Sequence, residues 1–247
     1  MRMDFSQQGR VVADACKEIG LPLTELRTLP VEYHYTSLPL AVADAIYSIG
    51  VGYDAQVKPA MARFAGHLGI SLTGEPSVGC HGCLTLLGGL PAHETASDVF
   101  ANRGRTSTRN GILKADAVMR AMRLFHECGI DTINDLRAAG VKLRVVEEAF
   151  REIPGQRTGI SWKYLLMLTG DEDLIKPDRM IKRFLAEALG LGAVLSEDGC
   201  VDIVRAAAAE LSREFPFMTP RRLDYAIWSW QRAQGRELPP NEVAAQA

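Results

Sequence analysis

Ile153-Pro-Gly-Gln-Arg-Thr-Gly-Ile-Ser161, an amphipathic stretch after it, and then Lys176-Pro-Asp-Arg179 decide the reading of this chain. Pro154-Gly155 and Gly159 bracket a tight connection, because glycine accepts backbone dihedrals that other residues resist. From Ile160 onward, Tyr164, Leu165 and Leu168 recur at three- and four-residue spacing, which predicts a helix over 160–168. A helix start presents unpaired backbone N–H groups and suits a phosphate. Asp178 then follows Pro177 as a lone carboxylate. A phosphate anchor followed by a carboxylate at a set distance is a layout for chemistry on nucleic acid.

These residues resemble the helix-hairpin-helix DNA glycosylase superfamily, which has the endonuclease III-like fold. There a Leu-Pro-Gly-hydrophobic-Gly hairpin opens a helix, and a catalytic Asp follows downstream. Here Pro154 and Asp178 are 24 residues apart. The family's second hairpin glycine falls on Arg157, and the Schiff-base lysine of its bifunctional members falls on Gly159. The resemblance therefore implies the monofunctional branch, which uses water and has no strong lyase activity. A second stretch, Leu38-Pro-Leu-Ala-Val-Ala-Asp-Ala-Ile-Tyr-Ser-Ile-Gly-Val-Gly-Tyr-Asp54, is similar to the family's early core helix and the turn that ends it. Ser48 and Asp54 keep their places in that turn, and Gly50 falls where the family often has a Gln. The resemblance covers residues 38–189 with an insertion. The family's iron–sulfur cysteines have no counterpart, since only Cys200 lies near the expected position.

Composition sets the outer bounds. Of 247 residues, 47% are hydrophobic and only 7% aromatic, which favours helices over sheets. There is no run of 18 apolar residues, and residues 1–6 lack the apolar stretch of a signal peptide. Five scattered cysteines form no disulfide framework, so the expected compartment is the cytoplasm, with nucleoid association in use. The net charge of −2 excludes a blanket nucleic-acid coat. Between 102 and 123, however, stand Arg103, Arg105, Arg109, Lys114, Arg120 and Arg123 against one acid, Asp116. A local basic face is enough for phosphate contacts.

Helical periodicity and breakers place helices over 7–19, 40–49, 57–68, 96–102, 111–128, 131–138, 143–153, 160–168, 178–189, 199–214 and 220–233. Asp131 and Thr219 are the expected N-caps of two of them. Residues 71–91 form a Gly-, Pro- and Cys-rich loop excursion, and 239–247 a disordered tail. The expected fold class is all-α, a single glycosylase-like unit of two lobes. One lobe combines 1–71 with 190–238, and 72–189 forms the hairpin lobe.

Each candidate site has a plainer use beside it. Asp178 would stabilise an oxocarbenium-like sugar and orient water, or it simply caps the next helix. Gly155, Gln156, Arg157, Thr158 and Gly159 would hold a phosphate, or they form an ordinary helix–helix turn. Arg103, Arg105, Thr108, Arg109 and Asn110 would clamp the DNA backbone, or they make a solvated loop. Ser48, Gly50, Gly52, Tyr53 and Asp54 would line a pocket for an extruded base, or the two glycines only end a helix in left-handed conformations. Trp162 reads as core. Cys80 and Cys83 form a Cys-x-x-Cys pair with too few neighbouring ligands for structural zinc, so no metal is assigned. The resemblance further implies a monovalent cation at the hairpin carbonyls as the only bound cofactor. The expected partner is double-stranded DNA carrying a damaged or modified base, met by a monomer away from membranes. The expected role is base excision repair or defence against modified phage DNA. A non-catalytic helix-hairpin-helix DNA-binding protein is the alternative.

Overall fold

A computed structural model describes residues 5–30, 35–72, 78–190 and 195–237. Every regular element among them is helical, and the one β feature is an isolated antiparallel bridge between Arg105 and Leu113. The all-α class stands. No helix among the described residues is long and apolar enough to cross a membrane.

Helices are numbered in chain order, and the chain divides into two compact units. One comprises residues 1–29 and 171–247. It contains α1 (Ser6–Glu18), a 3-10 turn (Leu23–Arg27), α10 (Arg179–Leu189), α11 (Glu197–Leu211) and α12 (Pro220–Glu237). Its core is aliphatic, with Val12, Cys16, Ile181, Leu185, Ile203, Val204, Leu223 and Ile227 all buried. Gly9 lets α1 approach α11 closely, for a Cβ there would lie 2.5 Å from that of Ala206.

The second unit spans 30–170. It holds α2 (Leu38–Tyr47), a π-helical turn (Tyr53–Val57), α3 (Lys58–Leu68), α4 (Cys80–Leu86) and α5 (Ala92–Glu94), which runs into a second π-helical turn (Thr95–Val99). It continues with α6 (Lys114–Glu127), α7 (Ile133–Ala138), α8 (Lys142–Arg151) and α9 (Ile160–Leu168). All ten residues of α2 are buried, as expected of a helix that is apolar on nearly every side. Helices α3, α4, α6 and α9 pack against it. Trp162 is core as read, lying against Phe125 and Phe150.

The unit boundaries differ from the expected lobes. Residues 30–71 join 72–170, because α2 and α3 pack against elements of that stretch. Residues 171–189 join the terminal segments, because Ile175, Ile181, Phe184 and Leu185 enter their core. Among the caps, Thr219 accepts from the Arg222 N–H as expected. The cap of α7 is Thr132, in a reciprocal box with Asp135, and not Asp131. Asp131 instead accepts the His81 N–H at 2.6 Å. The expected loop over 71–91 contains α4, and its residues 73–77, like the expected tail over 239–247, lie outside the described residues.

Candidate nucleic-acid interface and carboxylate pair

The hairpin is two successive turns. Gln156 N–H donates to the Ile153 carbonyl at 2.9 Å, and Gly159 N–H to the Gln156 carbonyl at 3.0 Å. In the first turn Pro154 precedes Gly155, whose φ is +91°, the type II pattern that asks for glycine at the third position. Gly159, φ +73°, then starts α9. Arg157 takes the place of the resembling family's second glycine without strain, since Ala101 is the one non-glycine residue with positive φ among the described residues. Arg157 and Thr158 are exposed. Gln156 is not; it is buried, and its Oε1 accepts from the Ser161 hydroxyl. Its side chain thus belongs to the internal packing of the turn and corrects the reading of Gln156 as a DNA contact.

The arginine-rich loop packs on this hairpin. It leaves and returns through Lys114 N–H to Gly104 carbonyl at 2.8 Å and Thr106 N–H to Ile112 carbonyl at 2.9 Å. Arg105 Nη1 donates to the Gly111 carbonyl at 2.5 Å, so this guanidinium also ties the loop together. Arg103, Thr108, Arg109 and Asn110 are exposed. Thr106 lies directly over Gly155, where an added Cβ would meet the Thr106 Cβ at 2.4 Å. Gly155→Ala therefore combines a left-handed backbone with a steric clash, and should cost ~2–4 kcal/mol. Gly50→Ala has the same backbone problem at φ +72° but no atom within 4 Å of the added Cβ, and should cost only about 1 kcal/mol. Urea unfolding of the two variants checks the contrast, and equal losses would refute it.

The same loop is tied to the end of α2. Lys114 is buried, and its Nζ donates to the carbonyls of Tyr47 at 2.9 Å and Ile49 at 2.7 Å. A cation thus caps the carbonyl end of α2, the favourable end for positive charge. Lys114, one of the six basic residues of this stretch, therefore serves the fold. Just beyond are the residues read as a base pocket. Gly50 and Asp54 are exposed, and Ser48 and Tyr53 half-buried. Gly50 is left-handed, but Gly52 has φ −74° and ψ 123°, an extended conformation that any residue adopts. Only Gly50 therefore fits the reading of the glycines as left-handed helix ends.

Ser48 and Tyr53 converge on a group that the sequence reading passed over. Asp44, 0% exposed, accepts from the hydroxyls of Ser48 at 2.7 Å, Tyr53 at 2.9 Å and Tyr35 at 2.8 Å. Burial, reinforced by the Asp44 charge, pushes the Tyr35 phenol far above its ordinary value, so it remains a donor. The signal was present: a single carboxylate in an otherwise apolar ten-residue run must be buried and therefore partnered. Pocket, clamp and hairpin, read from three distant stretches, are thus linked within one unit. The links are the ammonium of Lys114 and the Thr106–Gly155 contact.

Asp178 belongs to the other unit. It is the N-cap of α10, with Oδ1 accepting from Met180 N–H at 2.8 Å and Ile181 N–H at 3.2 Å. Asp224, on α12, was not singled out from the sequence. It is buried, accepts the Lys176 N–H at 3.2 Å, and is pushed well above the usual carboxylate range by burial first and the Asp178 charge second. Nearby, Glu172 accepts from Thr219, Arg221 and Arg222. Burial raises this carboxyl, but those three partners outweigh it and hold Glu172 below its ordinary value.

The Cys-x-x-Cys pair offers no reactive thiol. Cys80 and Cys83 are buried in α4, and burial raises both thiols, that of Cys83 to about 12. Among the described residues, no group of three or more His, Cys, Asp or Glu side chains is placed to hold a metal ion. At the hairpin, the Arg157 carbonyl already accepts from Arg151 Nε at 3.1 Å. A monovalent cation there would share that oxygen with a guanidinium.

These observations define a class: an all-helical protein with a linked basic and polar surface in one unit and a carboxylate pair in the other. The chain belongs to the DUF8548 family, described as a domain of unknown function, whose model matches residues 10–232. No curated protein and no solved structure matches the chain.

Proposed function

We propose that this protein is a monofunctional DNA glycosylase of the helix-hairpin-helix type. It hydrolyses the N-glycosidic bond of a damaged or modified base flipped out of duplex DNA and leaves an abasic site. The observation that carries the reading is the linkage of residues 48–54, 103–110 and 155–159 within one unit. Arg103, Arg109 and the N–H groups around Arg157 and Thr158 hold phosphates, while Ser48, Tyr53 and Asp54 face the extruded base. The guanidinium of Arg151 supplies positive charge at the hairpin, the role a monovalent cation plays in the resembling family. Gly159, left-handed and close to Arg151, carries no amine, so a Schiff-base lyase step is not expected.

In the reaction the C1′–N bond breaks, its electron pair leaves with the base, and water adds to C1′. Asp178 stabilises the developing sugar cation and accepts the proton of the attacking water. A carboxylate fixed by two backbone donors is already oriented for this. The same two bonds also favour a second reading, in which Asp178 is only a cap and the protein binds DNA without cutting it.

The test is excision on a panel of modified-base duplexes and modified phage DNA, with alkali to nick abasic products. Alkali-dependent breaks on any member support the glycosylase and separate repair from antiviral substrates. Salt-sensitive binding with no product on any member would replace it with the non-catalytic binder.

A further inference from the structure

The pair formed by Asp178 and Asp224 has a division of labour that the capping geometry alone does not require. The turn Lys176-Pro177-Asp178 is held from two sides. Asp178 grips the first turn of α10 through Met180 and Ile181, and Asp224 reaches from α12 to the Lys176 N–H. The charged groups acting on Asp224 are Asp178 and Lys176 from that turn and Arg221 from its own helix. Arg221 is itself bonded to Glu172, which also takes Arg222. Two neighbouring carboxylates repel if both are charged. Asp178 has two N–H donors at a helix start. Asp224 has one longer bond and is only 7% exposed.

Resting on the proposed glycosylase reading, we propose that Asp224 is a positioning residue for Asp178. It anchors the turn that carries Asp178 by accepting the Lys176 N–H, and its buried carboxyl stands beside Asp178 without adding a second charge. While Asp224 stays neutral, Asp178 has no second negative charge beside it. Once Asp224 ionises at higher pH, the two carboxylates repel and the turn loosens. Burial of the neutral acid agrees with this, since the pull upward on Asp224 exceeds the opposing pull of Lys176 and Arg221.

The direct test is carboxyl-carbon NMR of protein labelled at its Asp side chains, with Asp224 assigned by the signal lost in Asp224→Asn. We expect Asp224 to titrate above the ordinary carboxylate range, and its midpoint to fall by about half a pH unit or more in Asp178→Asn. A midpoint near the ordinary 3.8, or one unmoved by Asp178→Asn, overturns the proposal. Asp178→Asn keeps a good capping residue, so this comparison does not depend on Asp224→Asn folding.

Stability gives a second readout. A carboxyl raised in the folded state stabilises fully below its unfolded value and loses that contribution as pH rises through the folded one. The wild type should therefore lose stability above about pH 4 relative to Asp224→Asn, and parallel profiles would overturn the proposal. Excision by Asp224→Asn should lose the alkaline limb of the wild-type pH profile. An unchanged limb would mean a merely structural role. If no substrate is excised at all, the glycosylase reading fails while the NMR arm still decides where the charge lies.

Discussion

Asp178→Asn is expected to lower base excision by ~10²–10³-fold while leaving DNA affinity and folding in place. The expectation combines two properties of the residue. Asn is as good an N-cap as Asp, so its side-chain oxygen can still accept from Met180 and Ile181 and α10 keeps its start. What disappears is the negative charge that would face a cationic sugar and the base that would take a proton from water. Excision rates measured beside thermal unfolding separate the two. A variant that unfolds early would make Asp178 chiefly structural. A variant that folds, binds DNA and excises at the wild-type rate would remove Asp178 from the chemistry.

The second large effect lies in the other unit. Asp44→Ala should destabilise the protein by ~3 kcal/mol, seen as a fall in Tm of roughly 10 °C. Three hydroxyls converge on this carboxylate, and that of Tyr35 lies in the interior, where an unmatched donor costs most. Ser48 and Tyr53 are half-buried and recover part of their loss from water. Asp44→Asn, which keeps one acceptor oxygen, should lose less than the alanine variant. A loss below about 1 kcal/mol for Asp44→Ala would show that the network contributes little to the fold. Since Ser48 and Tyr53 are oriented by Asp44, the proposed glycosylase activity would change its base selectivity along with stability.

The parts of the fold that were legible in sequence had strong local signals. The helix over 160–168 was placed to the residue because Gly159, which has positive φ, precedes a clear apolar period through Leu168. Asp178 and Thr219 were readable as caps because each precedes a helical pattern beside a proline. Asp131 misled because the next residue, Thr132, forms a reciprocal box with Asp135 that Asp131 cannot make. The π-helical turns at Tyr53–Val57 and Thr95–Val99 have no periodic signature distinct from an α-helix. Gln156 looked exposed, as polar turn residues usually do, because nothing in the sequence tells that the Ser161 hydroxyl points back at it. Asp224 was missed for a related reason: in an amphipathic helix a lone acid reads as part of the wet face. Its partner lies 46 residues away in the chain, and only tertiary packing brings Asp178 to it.

The clasp of α1 onto α11 at Gly9 and Ala206 imposes an order on synthesis. Helix α1 leaves the ribosome early, but its packing partners α10 and α11 are encoded beyond residue 178. The whole of 30–170 is continuous and emerges in between, with every segment it needs already made. At the usual pace of translation, the buried face of α1 waits on the order of 10–30 s for its cover. A nascent chain paused once residues 30–170 have emerged would thus present that completed unit preceded by an amphipathic helix whose apolar face has no cover, an early client for a chaperone.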